Sequence, residues 1–188
     1  MSRLDRVAAA LAARHPRTHE DPARKLAAVA VVLAPDPDSV LLIRRAEREG
    51  DRWSGQMAFP GGRWDPGDPG LLDTARRETL EETGVDLSAA AIIGQLDDAV
   101  PRTPILPPVI VRPFVFRVPA RVPVFLNHEV ADAVWAGLDD LLAPNVYRPF
   151  DFDARGIKML LPGYHLPIGT VWGMTERILT PLLNVLSN

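Results

Sequence analysis

The chain has 188 residues, 47% of them hydrophobic and 24% charged, with a net charge of −3 and no cysteine. That length suits a single domain over residues 1–188 with a sizeable core, and the acidic balance argues against a nucleic-acid binder that works through a broad basic face. Without cysteine there is no disulfide, thiolate metal site or cysteine nucleophile. The apolar run 7–13 is too short and too rich in alanine to cross a membrane or to read as a signal peptide, so a cytoplasmic location with no membrane partner is expected.

In chain order, residues 3–14 read as an amphipathic helix flanking the domain. Residues 25–33 and 40–45 are β-rich runs separated by Pro35-Asp36-Pro37-Asp38, a turn signal, and so form paired strands. Residues 54–59 are extended and lead into Phe59-Pro60-Gly61-Gly62. A helix follows over 69–83, with Asp68 as its cap, Pro69 at its first position and Gly84 as its stop. Residues 92–96 and 109–118 are further strands. The proline-rich stretch 101–108 cannot be a central strand and reads as an ordered loop over the site. Residues 129–135 alternate moderately, 138–142 form a helical turn, and 157–161 with 164–166 read as a hairpin broken at Pro162-Gly163. A terminal helix spans 171–186, flanking the domain and kinked at Pro181. Its apolar face serves the monomer's core or a homodimer interface equally well. The sum is an α/β chain with a mixed sheet between helices.

Chemistry concentrates in Arg77-Glu78-Thr79-Leu80-Glu81-Glu82-Thr83-Gly84-Val85, which follows the glycine loop. With Glu78 at zero on a helical wheel, Glu81 falls at about 300° and Glu82 at about 40°, so the three carboxylates share one arc. Leu72, Ala75, Thr79, Leu80 and Thr83 fall between about 60° and 200° and would face the core. Three like charges on one face repel unless a cation neutralises them, and clustered oxygen donors suit magnesium or manganese. An isolated Glu-x-x-Glu-Glu is most often a solvated helix face. The glycine loop before it, the arginine beside Glu78 and Gly84-Val85 after it make this one a metal-site candidate.

These segments resemble the box of the Nudix hydrolases, which cleave diphosphate bonds in compounds where a nucleoside diphosphate is joined to another group. The resemblance implies a Nudix-type αβα sandwich with a mixed β-sheet. The spacing departs from the usual box: eight residues separate Asp68 from Arg77 where seven are usual, and Asp68 stands where a glutamate is expected. Upstream, Leu41-Leu42-Ile43-Arg44-Arg45-Ala46, then Arg52, Gly55 and Phe59-Pro60-Gly61-Gly62, are similar to the added signature of the coenzyme A pyrophosphatase branch, with Ile43 replacing threonine and a shifted register between Ala46 and Gly55.

The resemblance implies Mg²⁺ or Mn²⁺ held by Glu78, Glu81 and Glu82, with Glu81 either ligand or base and Arg77 orienting a carboxylate. Gly61 and Gly62 would let backbone approach the substrate closely. Of Arg44 and Arg45 only one can point at a given face, and the signature selects Arg45 for the diphosphate; Arg52 and Arg102 are further candidates against a plain surface role. Glu129 sits where the family often supplies a late-loop carboxylate, as ligand or base. His15, His19, His128 and His165 form no ligand set and read as structural or solvated. The expected activity is metal-dependent hydrolysis of a small nucleotide-type substrate, coenzyme A or acyl-coenzyme A first, with ADP-ribose, NADH and dinucleoside polyphosphates as rivals. A catalytically silent Nudix-like domain that binds a nucleotide or protein is the contrary reading. A prenyl diphosphate isomerase on this fold generally relies on a cysteine that the chain lacks.

Overall fold

The computed structural model describes residues 2–102, 106–154 and 156–187. The elements in chain order are α1 (Arg3–Ala12), β1 (Lys25–Ala34), β2 (Ser39–Arg45), β3 (Met57–Ala58), β4 (Gly61–Arg63), α2 (Leu71–Thr83), β5 (Ala91–Gln95), β6 (Val109–Arg117), β7 (Val130–Gly137), α3 (Leu138–Leu142), β8 (Tyr147–Ala154), β9 (Ile157–Leu166), β10 (Gly169–Trp172) and α4 (Gly173–Ser187). The main sheet runs β3-β2-β1-β6-β5, with β4 also paired to β1 and β7 to β2. It is mixed, because β1 and β6 run parallel while β1–β2, β1–β4 and β5–β6 are antiparallel. A smaller antiparallel sheet has the order β10-β9-β8.

Alternation along β1 assigns the two faces of the main sheet. Val31 and Leu33 point into a core with Leu4, Val7 and Leu11 of α1 and Ile178, Leu179, Leu182 and Leu183 of α4. Ala28, Ala30, Val32 and Ala34 point the other way, packed with Ala75, Val85, Leu87 and Phe116 beneath α2. Small side chains at Ala28 and Ala30 let α2 lie close to the sheet. α1 is held at its start by a capping box that the sequence reading passed over: Ser2 Oγ accepts from Asp5 N–H while the Asp5 carboxylate accepts from Ser2 N–H.

The α/β reading and the strands at 25–33, 40–45, 92–96 and 109–118 agree with the fold to within a residue or two. Five local expectations need correction. α2 starts at Leu71 with Gly70 at the cap and no side-chain capping bond, so Asp68 and Pro69 lie before the helix. Its buried residues are Thr74, Ala75, Thr79, Glu82 and Thr83, whereas Leu80 is 49% exposed. The buried arc is thus rotated toward Glu82, because a floor of alanine and glycine accepts a side chain that seeks a backbone N–H. Residues 157–166 form one strand and not a broken hairpin, and 147–154, unread as a strand, pairs with it. The prolines fit because Pro149 faces Pro162; the His165 N–H to Val146 carbonyl bond puts that facing pair where neither residue's N–H is needed across the strands. Val171 and Trp172 belong to β10, so the last helix begins only at Gly173, with Pro181 inside it. Of residues 54–59, only Met57–Ala58 are strand.

Gly84 ends α2 in the left-handed region, φ 70°, and donates its N–H to the Leu80 carbonyl. A Cβ there would press on Phe125 at 3.2 Å. Phe125 opens the stretch that docks on the end of α2, through Phe125 N–H to the Thr83 carbonyl and Asn127 N–H to the Glu82 carbonyl. Gly84→Ala should therefore lower unfolding stability by about 1–2 kcal/mol, the cost of a left-handed L-residue, as read by chemical denaturation.

Candidate functional site

The site forms where α2 crosses β4. Gly61 and Gly62 pair with Val29 and Ala28 of β1, and α2 passes over them. Gly61 (φ +153°) has no room for a side chain, since a Cβ would collide with the Ala28 carbonyl and the Val29 backbone. At Gly62 a Cβ would land on the Glu78 carboxyl group itself. The two glycines are thus the hollow in which Glu78 and Glu82 sit.

Glu82 is 1% exposed, and its Oε2 accepts from the Gly61 N–H at 2.9 Å. Burial raises its pKa from an ordinary 4.5 to about 7; the Gly61 bond and the charge of Arg45 oppose the rise, while Glu78 and Glu129 add to it. Glu78 is also shifted upward, chiefly by burial and against the pull of Arg77. Glu81 stays at the solvent edge, its Oε2 3.3 Å from Arg77 Nη1.

Arg77 is the hub. Its Nε and Nη2 fork onto Asp68 at 2.9 and 3.0 Å, and Nη1 reaches Glu78 Oε1 at 2.9 Å. Nη2 also reaches the Arg63 carbonyl at 3.3 Å. Asp68 is nearly buried and accepts as well from Thr74 Oγ1 at 2.8 Å and Asp65 N–H at 3.2 Å. The Arg77 fork holds its carboxyl far below the usual carboxylate range, and the guanidinium is correspondingly held above its own. The residue that departs from the usual box is therefore the anchor of Arg77.

The other expected residues distribute unevenly. Arg45 Nη2 pairs with Asp51 Oδ2 at 2.9 Å, and its charge reaches Glu82, so it faces the box. Arg44 points to the opposite face, beside Gly169. Glu129 lies close enough to raise both Glu78 and Glu82 and pairs with Arg48 at 3.2 Å. Arg52 is exposed in a turn, and its carbonyl accepts from Gln56. Arg102 is exposed near Arg177 of α4, whose pKa is lowered by burial first and by Arg102 second, and no described contact links it to the carboxylates. Residues 103–105 of the loop expected over the site lie outside the described residues. His19 contributes only a backbone N–H, to Asp98, and His128 is exposed.

Among the described residues, no three His, Asp or Glu side chains are gathered as a ready-made cage for an ion. The donor chemistry nonetheless fits a hard divalent cation. The buried Glu82 and the half-buried Glu78 crowd each other, and magnesium needs only one or two protein carboxylates when waters and phosphate oxygens complete its shell. Three residues that the sequence reading missed support this place: Arg48, Asp51 and Asn127, whose Oδ1 accepts from Glu129 N–H at 2.8 Å. Arg48 acts across 81 positions and Asp51 across a turn, where a local pattern carries no signal, whereas the Asn127–Glu129 bond spans two residues and an Asx turn was readable there.

Comparison with known proteins identifies the domain. The sequence model of the NUDIX domain matches residues 24–155. An uncharacterised protein of Schizosaccharomyces pombe (strain 972 / ATCC 24843) is 38% identical over 150 residues, which cover 74% of this chain and 46% of that one, so the chain corresponds to about half of that relative. An uncharacterised Nudix hydrolase, NudL, of Yersinia pestis (strain Pestoides F) is 32% identical over 162 residues, covering 85% of this chain and 77% of that one. The crystal structure of a MutT/nudix family protein from Enterococcus faecalis is similar with a TM-score of 0.60 at 19% identity, over 98% of this chain and 69% of that one, a likeness of fold.

The raised carboxyl groups give the cation-free protein a pH signature. An unfolded chain releases the Glu82 proton near 4.5 and the folded chain near 7. Between those values the folded state holds the extra proton, so stability is greatest below the window and declines as pH rises through it. Glu78 acts in the same sense, whereas Asp51 and Asp68, shifted down, act below the window. Denaturation in the presence of a chelator should show this decline, and Glu82→Gln should flatten it; an unchanged slope in the variant would contradict the buried carboxyl.

Proposed function

The chain belongs to the Nudix family, and on that footing we propose that it is a divalent-cation-dependent pyrophosphohydrolase acting on coenzyme A or an acyl-coenzyme A. Membership supports that class of chemistry, hydrolysis of a phosphorus anhydride. The observation that carries an active reading for this chain is Glu82: a nearly inaccessible carboxyl group with one N–H partner, Gly61, and a pKa pushed up to about 7. Such a group is costly to maintain unless a cation takes its charge, and a silent copy of the domain has no need of it.

Glu78 and Glu82 are the principal candidate ligands, with Glu81 beside them. A bound Mg²⁺ or Mn²⁺ would draw charge from the diphosphate oxygens and lower the pKa of a water molecule. Arg77 orients Glu78 and stays fixed because Asp68 holds its other edge. The glycine backbone at 61 and 62 gives the diphosphate close access to the carboxylates. Glu81 and Glu129, the least buried carboxylates here, would serve as further ligands or receive the proton of an attacking water. The coenzyme A assignment is supported by the Leu41–Ala46 run together with the direction of Arg45, which shares the face of Glu82 and is braced by Asp51. Its guanidinium suits a diphosphate oxygen.

The test is a panel assay with Mg²⁺ or Mn²⁺ against coenzyme A, ADP-ribose, NADH and diadenosine polyphosphates. Coenzyme A should yield 4′-phosphopantetheine and 3′,5′-ADP. Cleavage of ADP-ribose alone would remove the coenzyme A assignment and keep the chemistry, and no cleavage at all would favour a silent domain. Glu82→Gln should lower kcat by more than about 100-fold, beyond what loss of a merely supporting partner costs, with circular dichroism unchanged.

A further inference from the structure

The turn between β2 and β3, residues 46–56, sends two charged side chains to the site. Asp51 holds Arg45, and Arg48 reaches 81 positions along the chain to Glu129, Nη1 to Oε1 at 3.2 Å. The backbone around Glu129 is pinned on both sides. Ala46 N–H donates to the Glu129 carbonyl at 2.8 Å, Glu129 N–H donates to Asn127 Oδ1, and Asn127 N–H donates to the Glu82 carbonyl. The Glu129 carboxylate is fixed less firmly. It faces Arg48 and, at 3.8 Å, the exposed His128 ring.

We propose that Arg48 is an exchangeable latch on this site: it neutralises Glu129 while the site is empty of cation, and it passes to a phosphate oxygen of the substrate once Glu129 turns to the cation. The inference rests on the cation-dependent hydrolase reading above. Two observations and one consequence of phosphate chemistry carry it. First, the partners are 41% and 37% exposed, and a pair so open to water is worth little and exchanges readily. Second, Glu129 repels Glu78 and Glu82, so a guanidinium on Glu129 relieves the crowding that a cation would otherwise relieve. Third, a diphosphate brings fresh negative charge to the same place, and an arginine freed there meets oxygen acceptors that match its fork. Arg45 differs, because its partner Asp51 is more buried and the pair is 27% and 20% exposed. One arginine is braced and the other is free to change partner.

Arg48 and the cation thus compete for Glu129, whereas Arg48 and the substrate cooperate. Removing the side chain should move the two affinities in opposite directions, which loss of a structural ion pair alone would not do. Mn²⁺ alone, followed by titration calorimetry and electron paramagnetic resonance on the full chain, should bind Arg48→Ala roughly two- to fivefold more tightly than wild type, the scale of one open ion pair. Glu129→Gln should bind Mn²⁺ more weakly, and adding Arg48→Ala to it should bring no gain. In steady state with coenzyme A, Arg48→Ala should raise KM roughly tenfold or more, as for loss of a charged hydrogen bond, with a smaller change in kcat and partial rescue by Arg48→Lys.

An unchanged or weakened Mn²⁺ affinity in Arg48→Ala overturns the latch, as does the same gain in the Glu129→Gln background, which would mark a general field effect. An unchanged KM overturns its substrate half. Wild-type protein that binds no Mn²⁺ would bring down the hydrolase reading and the latch together, whereas normal Mn²⁺ binding and turnover with an inert Arg48 would overturn the latch alone. Arg48→Gln, closer in size, serves as the readout should the alanine variant alter the circular dichroism spectrum.

Discussion

The close seat of α2 on the sheet governs everything at this site. Ala28 and Ala30 on β1 with Gly61 and Gly62 on β4 form a floor with almost no side chain, so the helix settles until its own residues meet backbone. At that depth Glu82 reaches the Gly61 N–H, and the Glu78 carboxyl occupies the space that any side chain at 62 would fill. A larger floor would lift the helix, return both carboxyl groups to water and remove the strain of charge that makes a cation welcome. Packing of small residues and the electrostatics of the carboxylates are therefore one constraint, and the helix's modest apolar content follows from it. Thr74, Thr79 and Thr83 fill the buried face where leucines would not fit; Thr79 and Thr83 each turn a hydroxyl to the carbonyl four residues earlier.

That floor explains how far the site could be read from the chain alone. The glycine loop, Arg77, the glutamates and the Gly84 stop lie close together and obey local rules of turn and helix, so their association was legible. Alternation along β2 said only that Arg44 and Arg45 face opposite ways; the choice of Arg45 came from the family signature. What resisted was the rotation of α2. A hydrophobicity argument put Leu80 inward and Glu82 outward, because it had no means of knowing that the surface beneath was made of alanine and glycine. The same limit hid β8: Arg148, Pro149, Asp151 and Asp153 look unlike a strand until the facing Pro162 shows why the missing N–H groups do no harm.

Asp68 is the most instructive case. Read by spacing, it was a helix cap that happened to stand near a family position with the wrong acid at the wrong distance. Read in space, it is the firmest partner of Arg77, supported in turn by Thr74 and Asp65. It lies three residues before the helix, which starts only at Leu71, and from there its short side chain meets the guanidinium.

The charges around the site fall into two groups with different mechanical character. Arg77 with Asp68 and Arg45 with Asp51 are partly buried pairs in which two elements of backbone fix both ends, and they hold geometry. Arg48 with Glu129 is more open, and its carboxylate belongs to the stretch that touches α2 through the Glu82 carbonyl and the turn after β2 through Ala46. On the proposed reading, a site that admits a highly charged ligand, excludes solvent around the buried Glu82 and releases products needs both kinds. Rigid pairs alone would leave Glu129 without a countercharge whenever the cation departs, and mobile pairs alone would let Glu78 drift from its place over Gly62. The fold separates these duties by depth: pairs near the floor hold position, and the pair at the rim can exchange.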